Sequence, residues 1–207
     1  QLQREGKTVV NSAFGIENCL RSNMVRLLKD EVPQPKTYIL STSDNPDKIF
    51  EKMGSGKCWI KRGDFHAIHR EDVTFCRNAE EGRSILKEFS LRGISTAVVC
   101  EHLKGDLVKF YGVRGSDFFY WFHPYDNGHV KEVNNYSFDA DVLMSVAAKA
   151  AEILDIHIYG GDAIVSENGD IHIIDINDWP SFAPCRDVAA GYIAECIIDN
   201  MHHVNEM

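Results

Sequence analysis

The chain has 207 residues, of which 44% are hydrophobic and 26% are charged, and its net charge is −9. This composition is typical of a soluble globular protein, and the length allows one large domain or two small lobes. The acidic balance argues against a general binder of nucleic acids or of acidic membranes, because both functions need basic surface. Since the N-terminus is polar and no apolar run is long enough to cross a bilayer, we expect neither a signal peptide nor a transmembrane helix.

The six cysteines are scattered along the chain and form no CxxC pair. Most of them lie in apolar stretches, which is typical of reduced, buried thiols. We therefore expect a cytoplasmic protein with neither a disulfide framework nor a zinc site.

The first part of the chain predicts a mixture of helices and short strands. Apolar residues recur at helical spacing over residues 17–29 and 79–91, and a shorter helix is expected to begin at Pro46. Strands are predicted where valine, isoleucine and aromatic residues cluster, namely at residues 9–10, 37–40, 58–61, 67–70 and 72–76.

From Thr96 onwards the sequence becomes richer in valine and aromatic residues. Three such stretches, 96–101, 107–113 and 117–123, are separated by turn residues and predict a meander of antiparallel strands. Helical periodicity returns at residues 141–154 and 187–200. The predicted fold class is therefore α+β.

Residues 160–180 predict a β-hairpin. Asn168-Gly169 is the strongest short hairpin signal, because a type I′ turn needs a positive φ at both central residues. A two-residue turn at this point predicts a register in which the following residues face each other: Glu167 and Asp170, Val165 and His172, Ile164 and Ile173, and Asp162 and Asp175.

This register predicts a metal site. Asp162 and Asp175 would lie about 4.5–5.5 Å apart, where two carboxylates repel each other unless a positive charge sits between them. Asn177 would point to the same side of the sheet, because side chains alternate with a period of two. Any one of these residues alone is typical of an ordinary strand end, but three oxygen donors on one face suit a hard cation such as magnesium. A slip of one residue would separate the two aspartates.

Three stretches in this order resemble the ATP-grasp superfamily: IKRGDFHAIHREDV, VVCEHLKGDLVKFYGV, and GGDAIV followed by IIDINDWPSF. They are similar to the family's lysine strand, to its adenine hinge with the basic strand after it, and to its metal-binding hairpin. The resemblance implies two α+β lobes with a nucleotide cleft between them. The small lobe would cover residues 20–95 and the large lobe, with an antiparallel sheet and the metal site, residues 96–207.

The resemblance also implies ligands for ATP. Lys61 matches the lysine that reaches the α-phosphate and adenine, and a point charge on a flexible stem suits a phosphate. Glu101, His102 and Leu103 match the hinge that binds the adenine edge.

Further roles concern the phosphates and the metal ion. Lys109 matches a basic position that faces the γ-phosphate, and Arg114 would stabilise a transferring phosphoryl group. Asp162, Asp175 and Asn177 match the ligands of one or two Mg²⁺ ions, in agreement with the hairpin register.

The sequence departs from the family pattern in three places. The loop after the lysine strand has one glycine where many members have several, so His66 and His69 could supply donors instead, as in the inositol-phosphate kinases of the superfamily. The residues that follow Asn177 also resemble the kinase-like members. The chain is expected to begin near the end of the domain that usually precedes the ATP-binding lobes, so residues 1–19 are interpreted as a linker or a remnant of it; either that domain was removed or this family does without it. In the family that domain usually completes the acceptor site, and a removed N-terminal domain or a homodimer is among the expected partners.

The favoured function is a ligase that uses ATP and Mg²⁺ to join a carboxylate to an amine or thiol through an acylphosphate. A small-molecule kinase of the same fold and an ATP-binding regulatory module without turnover remain alternatives, as does a cation-binding domain that does not bind ATP. The expected partners are ATP and a small-molecule acceptor of unknown identity, without nucleic acid or membrane.

Overall fold

The structure is a computed structural model that describes residues 2–54, 57–126, 129–130 and 133–203. The chain divides into two compact units. The larger unit comprises Gln1–Cys19, Leu27–Pro33 and Lys104–Met207, and the smaller unit comprises Leu20–Arg26 and Gln34–Leu103. The predicted α+β class is confirmed.

The helices in chain order are α1 (Ala13–Asn18), α2 (Arg21–Leu28), α3 (Asp47–Met53), α4 (Ala79–Leu91), α5 (Ala140–Ile153) and α6 (Arg186–His203). The strands of the smaller unit are β1 (Thr37–Ser41), β2 (Cys58–Arg62), β3 (Val73–Cys76) and β4 (Thr96–Glu101). Those of the larger unit are β5 (Asp106–Val113), β6 (Phe119–Phe122), β7 (Tyr125–Asp126), β8 (His129–Val130), β9 (Ile158–Val165) and β10 (Ile171–Asp178). Short 3₁₀ helices occur at Leu2–Glu5 and Arg70–Asp72.

The smaller unit is built on an antiparallel sheet with the strand order β1-β4-β2-β3. Helix α4 begins where the side chain of Asn78 accepts a hydrogen bond from the backbone N–H of Glu81, and it is followed by Gly93 with φ +75°. These are the usual start and stop signals of a helix. One face of the sheet and the helices bury a common core of Leu40, Phe50, Met53, Cys58, Ile60, Cys76, Leu86, Phe89, Ile94, Ala97 and Val99.

Strand β4 does not belong to the predicted meander. It pairs with β1 and β2 in the smaller unit, whereas β5 and β6 pair with each other in the larger one. The prediction failed because strand composition indicates that a strand exists but not which distant strand it pairs with. The compact smaller unit consequently extends to Leu103.

The larger unit contains an antiparallel sheet with the strand order β10-β9-β5-β6. Alternate residues of its three neighbouring strands β5, β9 and β10 are fully buried on one side of the sheet, and helix α5 packs against β10. The opposite face is partly covered by the segment that leads into α6. Val113, Ile158, Phe182, Ala189 and Cys196 form a second buried cluster there.

The β9–β10 hairpin has a different turn from the predicted one. Ser166 and Asp170 close a three-residue loop, and Gly169 alone adopts a positive φ of +81°. Val165 therefore pairs with Ile171 and Ile164 with His172, so the predicted pairs near the turn are wrong by one residue. A β-bulge between Ile173 and Asp175 shifts the register back, and Asp162 does face Asp175. The pairing that matters for the predicted site is confirmed.

Three local predictions of secondary structure are corrected. The single helix predicted over residues 17–29 is two helices, α1 and α2, with a break after Asn18. Residues 9–10 and 67–70 form no strand.

Residues at the start of the chain are integral to the larger unit. The buried side chain of Asn11 donates to the carbonyl oxygen of Ile158 at 2.7 Å and accepts from the backbone N–H groups of His157 and Ile158 at 2.8 and 2.9 Å. A buried amide with all of these bonds made fixes the segment onto β9.

Candidate functional site

A row of charged side chains crosses three strands of the larger sheet. Lys109 on β5 pairs in register with Asp162 on β9, and Asp162 pairs with Asp175 on β10. All three are half-buried residues on one face of the sheet. Asn177 lies two residues beyond Asp175 on the same strand and faces Gly160. The sheet thus brings together the three predicted metal ligands and one of the two predicted catalytic residues.

An ion pair already joins two members of this row. The ammonium nitrogen of Lys109 lies 2.7 Å from Oδ1 of Asp162, with the two side chains 36% and 24% exposed. Two carboxylates on neighbouring strands need positive charge, and here the chain itself supplies some of it.

The donor set suits a hard cation. Two carboxylates and one amide on a single face offer only oxygen, which is what Mg²⁺ prefers. Among the described residues no group of three or more His, Cys, Asp or Glu side chains is arranged to hold a metal ion. The predicted set contains only two carboxylates, so Mg²⁺ would have to complete its coordination with Asn177, phosphate oxygens and water.

Tyr111 borders the row. It follows Lys109 by two residues on β5, faces Gly160 across the strand pair, and its hydroxyl shares a hydrogen bond with Ser181. A Cβ atom on Gly160 would lie 2.6 Å from the Tyr111 ring and 2.7 Å from Pro180, so only glycine fits under this contact. Burial raises the pKa of Tyr111, which keeps the hydroxyl protonated. The sequence analysis did not include Tyr111. Because side chains two apart on a strand point to the same face, the prediction of Lys109 could have been extended to Tyr111.

Arg114 is held away from the charged row. It follows the last residue of β5, and its guanidinium lies 2.8 Å from Nε2 of His157 and 3.5 Å from a carboxylate oxygen of Asp155. Arg114 lies five residues after Lys109, a distance of about 17 Å along an extended strand. Burial and the neighbouring Arg114 lower the pKa of His157. The described contacts of Arg114 are those of a strand-end ion pair.

Lys61 lies on the face of the smaller sheet opposite to Ile60 and Cys58 of the buried core. It is only 7% exposed, and it pairs with Val73 of β3 on one side and Val98 of β4 on the other. A lysine on a strand between two valines is unusual, because lysine is among the residue types that are least often buried. Trp59, which shares this face, was not predicted as part of a site.

The predicted hinge residues use some of their backbone groups within the smaller unit. The N–H of Glu101 donates to Lys36 and that of His102 donates to Lys57, at 2.9 and 3.3 Å. The Glu101 carboxylate accepts from the N–H of Lys36 at 2.8 Å. Leu103 is half-buried just after β4.

The exposed ring of His102 has aromatic neighbours. Its Nδ1 lies 3.3 Å from the indole nitrogen of Trp59, and its ring makes an edge contact with Phe75 at 5.1 Å between centroids. Because the indole N–H can only donate, Nδ1 of His102 is the acceptor in this bond.

The loop that carries His66 is anchored at both ends by aspartates. Asp64 accepts from Arg62 at 2.7 Å, and the fully buried Asp72 accepts from the backbone N–H groups of Ile68 and His69 at 2.8 and 3.1 Å. His66 is half-buried and makes an edge contact with the ring of its neighbour, Phe65. No role was predicted for Asp72 from the sequence.

All six cysteines are buried free thiols, as predicted. Burial, followed by the charges of Asp178 and Asp175, raises the pKa of Cys19 to about 12. A thiol that stays protonated at neutral pH is a poor nucleophile. The chemistry of the site therefore falls to its lysines, carboxylates and hydroxyls.

No model of a known protein family matches the sequence, and no curated protein matches it significantly. Solved structures match almost the whole chain. The D-alanine-D-alanine ligase from Coxiella burnetii has a TM-score of 0.74 at 15% identity over 99% of this chain and 64% of its own. The D-alanine-D-alanine ligase from Bacillus anthracis complexed with ATP has a TM-score of 0.75 at 18% identity over 99% and 74%.

The ATP-grasp ligase PsnB complexed with minimal precursor, Mg and ADP has a TM-score of 0.65 at 16% identity over 94% of this chain and 64% of its own. The chain thus spans between about two thirds and three quarters of these proteins. Among the helices that the structure describes, none combines the length and apolar character needed to cross a membrane. At these identities the structural likeness establishes the architecture alone, and the chain has the fold that these ligases share.

Proposed function

We propose that the chain is the ATP-binding part of a ligase that joins a carboxylate to an amine or a thiol. ATP would phosphorylate the carboxylate, and the amine or thiol would then displace phosphate from the acylphosphate. The observation that carries this proposal is the row of Lys109, Asp162 and Asp175 on one face of the larger sheet. Phosphoryl transfer depends mainly on positioning and charge neutralisation, and this row offers both signs of charge in fixed register.

Each member of the row has a part in the proposal. The ammonium of Lys109 would donate to an oxygen of the transferring phosphoryl group, and the Asp162 and Asp175 carboxylates with Asn177 would hold Mg²⁺. When bound, Mg²⁺ would neutralise charge on the phosphates of ATP. Arg114 has only a secondary role in this proposal, because its described partners are His157 and Asp155.

The smaller unit would contribute nucleotide contacts. Lys61 is proposed to bind the α-phosphate, and its burial means that the charge is poorly screened by water. Leu103, with Glu101 and His102, is proposed to bind the adenine edge, and His66 to donate to a phosphate. The N–H groups of Glu101 and His102 already have acceptors, which favours Leu103 as the backbone donor.

The names of similar structures support ligation in general. Two are D-alanine-D-alanine ligases, one of them complexed with ATP, and PsnB is complexed with Mg and ADP. The acceptor site is proposed to include a further domain or a second copy of the chain. The acceptor itself is proposed to be a small molecule.

The first test is ligand-induced thermal stabilisation. ATP with MgCl₂ should raise the melting temperature of the wild type, because a ligand stabilises the form that it binds. Asp175→Asn should lose the magnesium-dependent part of the shift while keeping its own melting temperature in buffer. Asp170→Asn, an exposed acid at the turn end of the same hairpin, is the matched control. Absence of any shift in the wild type would reject the proposal.

Product analysis then identifies the reaction. A ligase releases ADP and free phosphate only when a carboxylate and an amine or thiol are both present. Formation of ADP without free phosphate in the presence of an alcohol would indicate a small-molecule kinase. Stabilisation by ATP without any turnover would indicate a regulatory module.

A further inference from the structure

Aromatic side chains lie next to the charged row, on the same face of the larger sheet. On β6, Phe122 pairs with Lys109 and Tyr120 pairs with Tyr111. The rings of Tyr111 and Phe122 lie 5.6 Å apart, and those of Tyr120 and Phe122 lie 5.8 Å apart. We name Tyr111, Tyr120 and Phe122 the aromatic wall. All three residues are half-buried, so none of them is completely covered by the rest of the chain.

Contacts with neighbouring residues fix the Tyr111 ring of the aromatic wall in place. The ring of Tyr111 contacts that of Phe182 at 5.0 Å, and Phe182 is buried in the cluster that includes α6. Ser181 bonds the Tyr111 hydroxyl, and the absence of a side chain at Gly160 lets the ring lie close to β9. A ring fixed in this way loses little entropy when it contacts a ligand.

The spacing of Lys109, Phe122 and Tyr111 indicates which kind of ligand would fit. Lys109 supplies a cation, which is paired with Asp162 on the β9 side and would have to be shared with a ligand. Phe122 lies about 5 Å away across the strand pair on the other side, and Tyr111 lies about 7 Å along the strand. A carboxylate placed on the Lys109 ammonium would put an attached planar group against the two rings. Aromatic pairs of this kind are stabilising beyond the area that they bury.

We infer that the aromatic wall is the binding surface for an aromatic carboxylate, which is the substrate whose carboxylate is activated, and that Tyr111 is a specificity-determining residue. This inference rests on the proposed function, since it places the carboxylate beside the row that would handle the phosphoryl group. It adds the chemical class of the substrate, which neither the fold nor the charged row specifies.

The test uses benzoate and acetate as probes, titrated against the whole chain by ligand-observed NMR. Benzoate should bind at least about tenfold more tightly than acetate. Tyr111→Leu should weaken benzoate binding about five- to tenfold and leave acetate unchanged, whereas Tyr111→Phe should bind benzoate within about twofold of the wild type. Trp121→Leu is the matched control, because Trp121 lies between Tyr120 and Phe122 on β6 and faces the other side of the sheet.

Equal affinity for benzoate and acetate, or undiminished benzoate binding by Tyr111→Leu, would overturn the inference. If Tyr111→Leu melts at a markedly lower temperature, Phe122→Leu is measured in its place with the same expected loss. The shift produced by ATP with MgCl₂ is recorded on the same samples. A normal shift without benzoate preference removes this inference alone, whereas no shift removes the proposed function on which it rests.

Discussion

The Lys109 ammonium lies 2.7 Å from Oδ1 of Asp162, at the centre of the row proposed to handle phosphate and metal. The pair is partly exposed, and such pairs contribute no more than about 1 kcal/mol. It can therefore be rearranged at little cost. Lys109 neutralises part of the carboxylate charge by itself, so a divalent ion arriving at Asp162 would have to compete with it.

Replacing Lys109 by methionine should separate its two effects. Lys109→Met removes the competing ammonium, so affinity for Mn²⁺, used as a probe for Mg²⁺, should rise about two- to fivefold. Turnover with ATP should fall at least about tenfold, because the proposed donor to the phosphoryl oxygens is lost. Isothermal titration calorimetry and ADP release measure the two quantities.

Lys149→Met provides the control for this prediction. Lys149 forms an exposed ion pair with Glu31 at 2.9 Å in the same unit, so net charge changes equally while the row is untouched. The control should leave both quantities within about twofold. Weaker Mn²⁺ binding by Lys109→Met would mean that the lysine supports the metal site instead of competing with it.

A second prediction concerns Lys61 in the smaller unit. Lys61→Met keeps most of the aliphatic stem and removes the charge, so the buried position stays filled. Affinity for ATP should fall more than about tenfold, beyond the effect of an exposed ion pair. Lys57→Met, four residues earlier and exposed, should have almost no effect. Equal ATP affinity of the two variants, measured by calorimetry, would remove Lys61 from the nucleotide site.

The hairpin explains how a site can be predicted correctly through an incorrect local structure. The predicted two-residue turn was one residue too short, and the bulge before Asp175 was not predicted, so the two errors cancel at Asp162. The spacing of the isoleucines in β10 reflects the bulge. Ile171, Ile173 and Ile176 are all buried, and the step of three residues from Ile173 to Ile176 breaks the strand period of two.

Other features lie beyond what a single sequence specifies. Strand β4 was recognised, but its partners are distant in sequence and were assigned to the wrong sheet. The sequence places two basic residues, Lys109 and Arg114, on one strand or just beyond it, but it does not give their partners. Lys109 points from the sheet face towards Asp162, whereas Arg114 lies past the strand end and pairs with Asp155. Pairing and side-chain partners depend on the tertiary fold, whereas periodicity is local.

Gly161 tests the packing at the bulge. A Cβ atom there would lie 2.4 Å from the carbonyl oxygen of Asp175, which belongs to the backbone and cannot turn away. Gly161→Ala should therefore lower the free energy of unfolding by about 1–3 kcal/mol. Gly191→Ala, in the exposed part of α6 with no atom within 4 Å of its Cβ, should raise stability by about 0.5–1 kcal/mol. Urea unfolding measures both, and the same sign for the two variants would contradict the prediction.

Asp72 fixes the end of the loop that carries His66, and its ionisation should be visible in the stability of the protein. Burial would raise the pKa of Asp72, but hydrogen bonds from the N–H groups of His69 and Ile68 and the pairing with Arg92 outweigh it and lower the pKa to about 2. A carboxyl group whose pKa is lower in the folded than in the unfolded state stabilises the fold above the unfolded value. That contribution is about 2–3 kcal/mol at pH 7 and is lost as the pH falls from about 4 to about 2.

The difference in unfolding free energy between the wild type and Asp72→Asn isolates this group, because all other titrations are shared. It should be about 2–3 kcal/mol at pH 7 and roughly half of that at pH 3. Glu71→Gln, which alters an exposed neighbour, should differ little from the wild type at either pH. Urea titrations at the two pH values decide the matter: a difference that does not shrink on acidification would mean that Asp72 acts through its shape and not its charge.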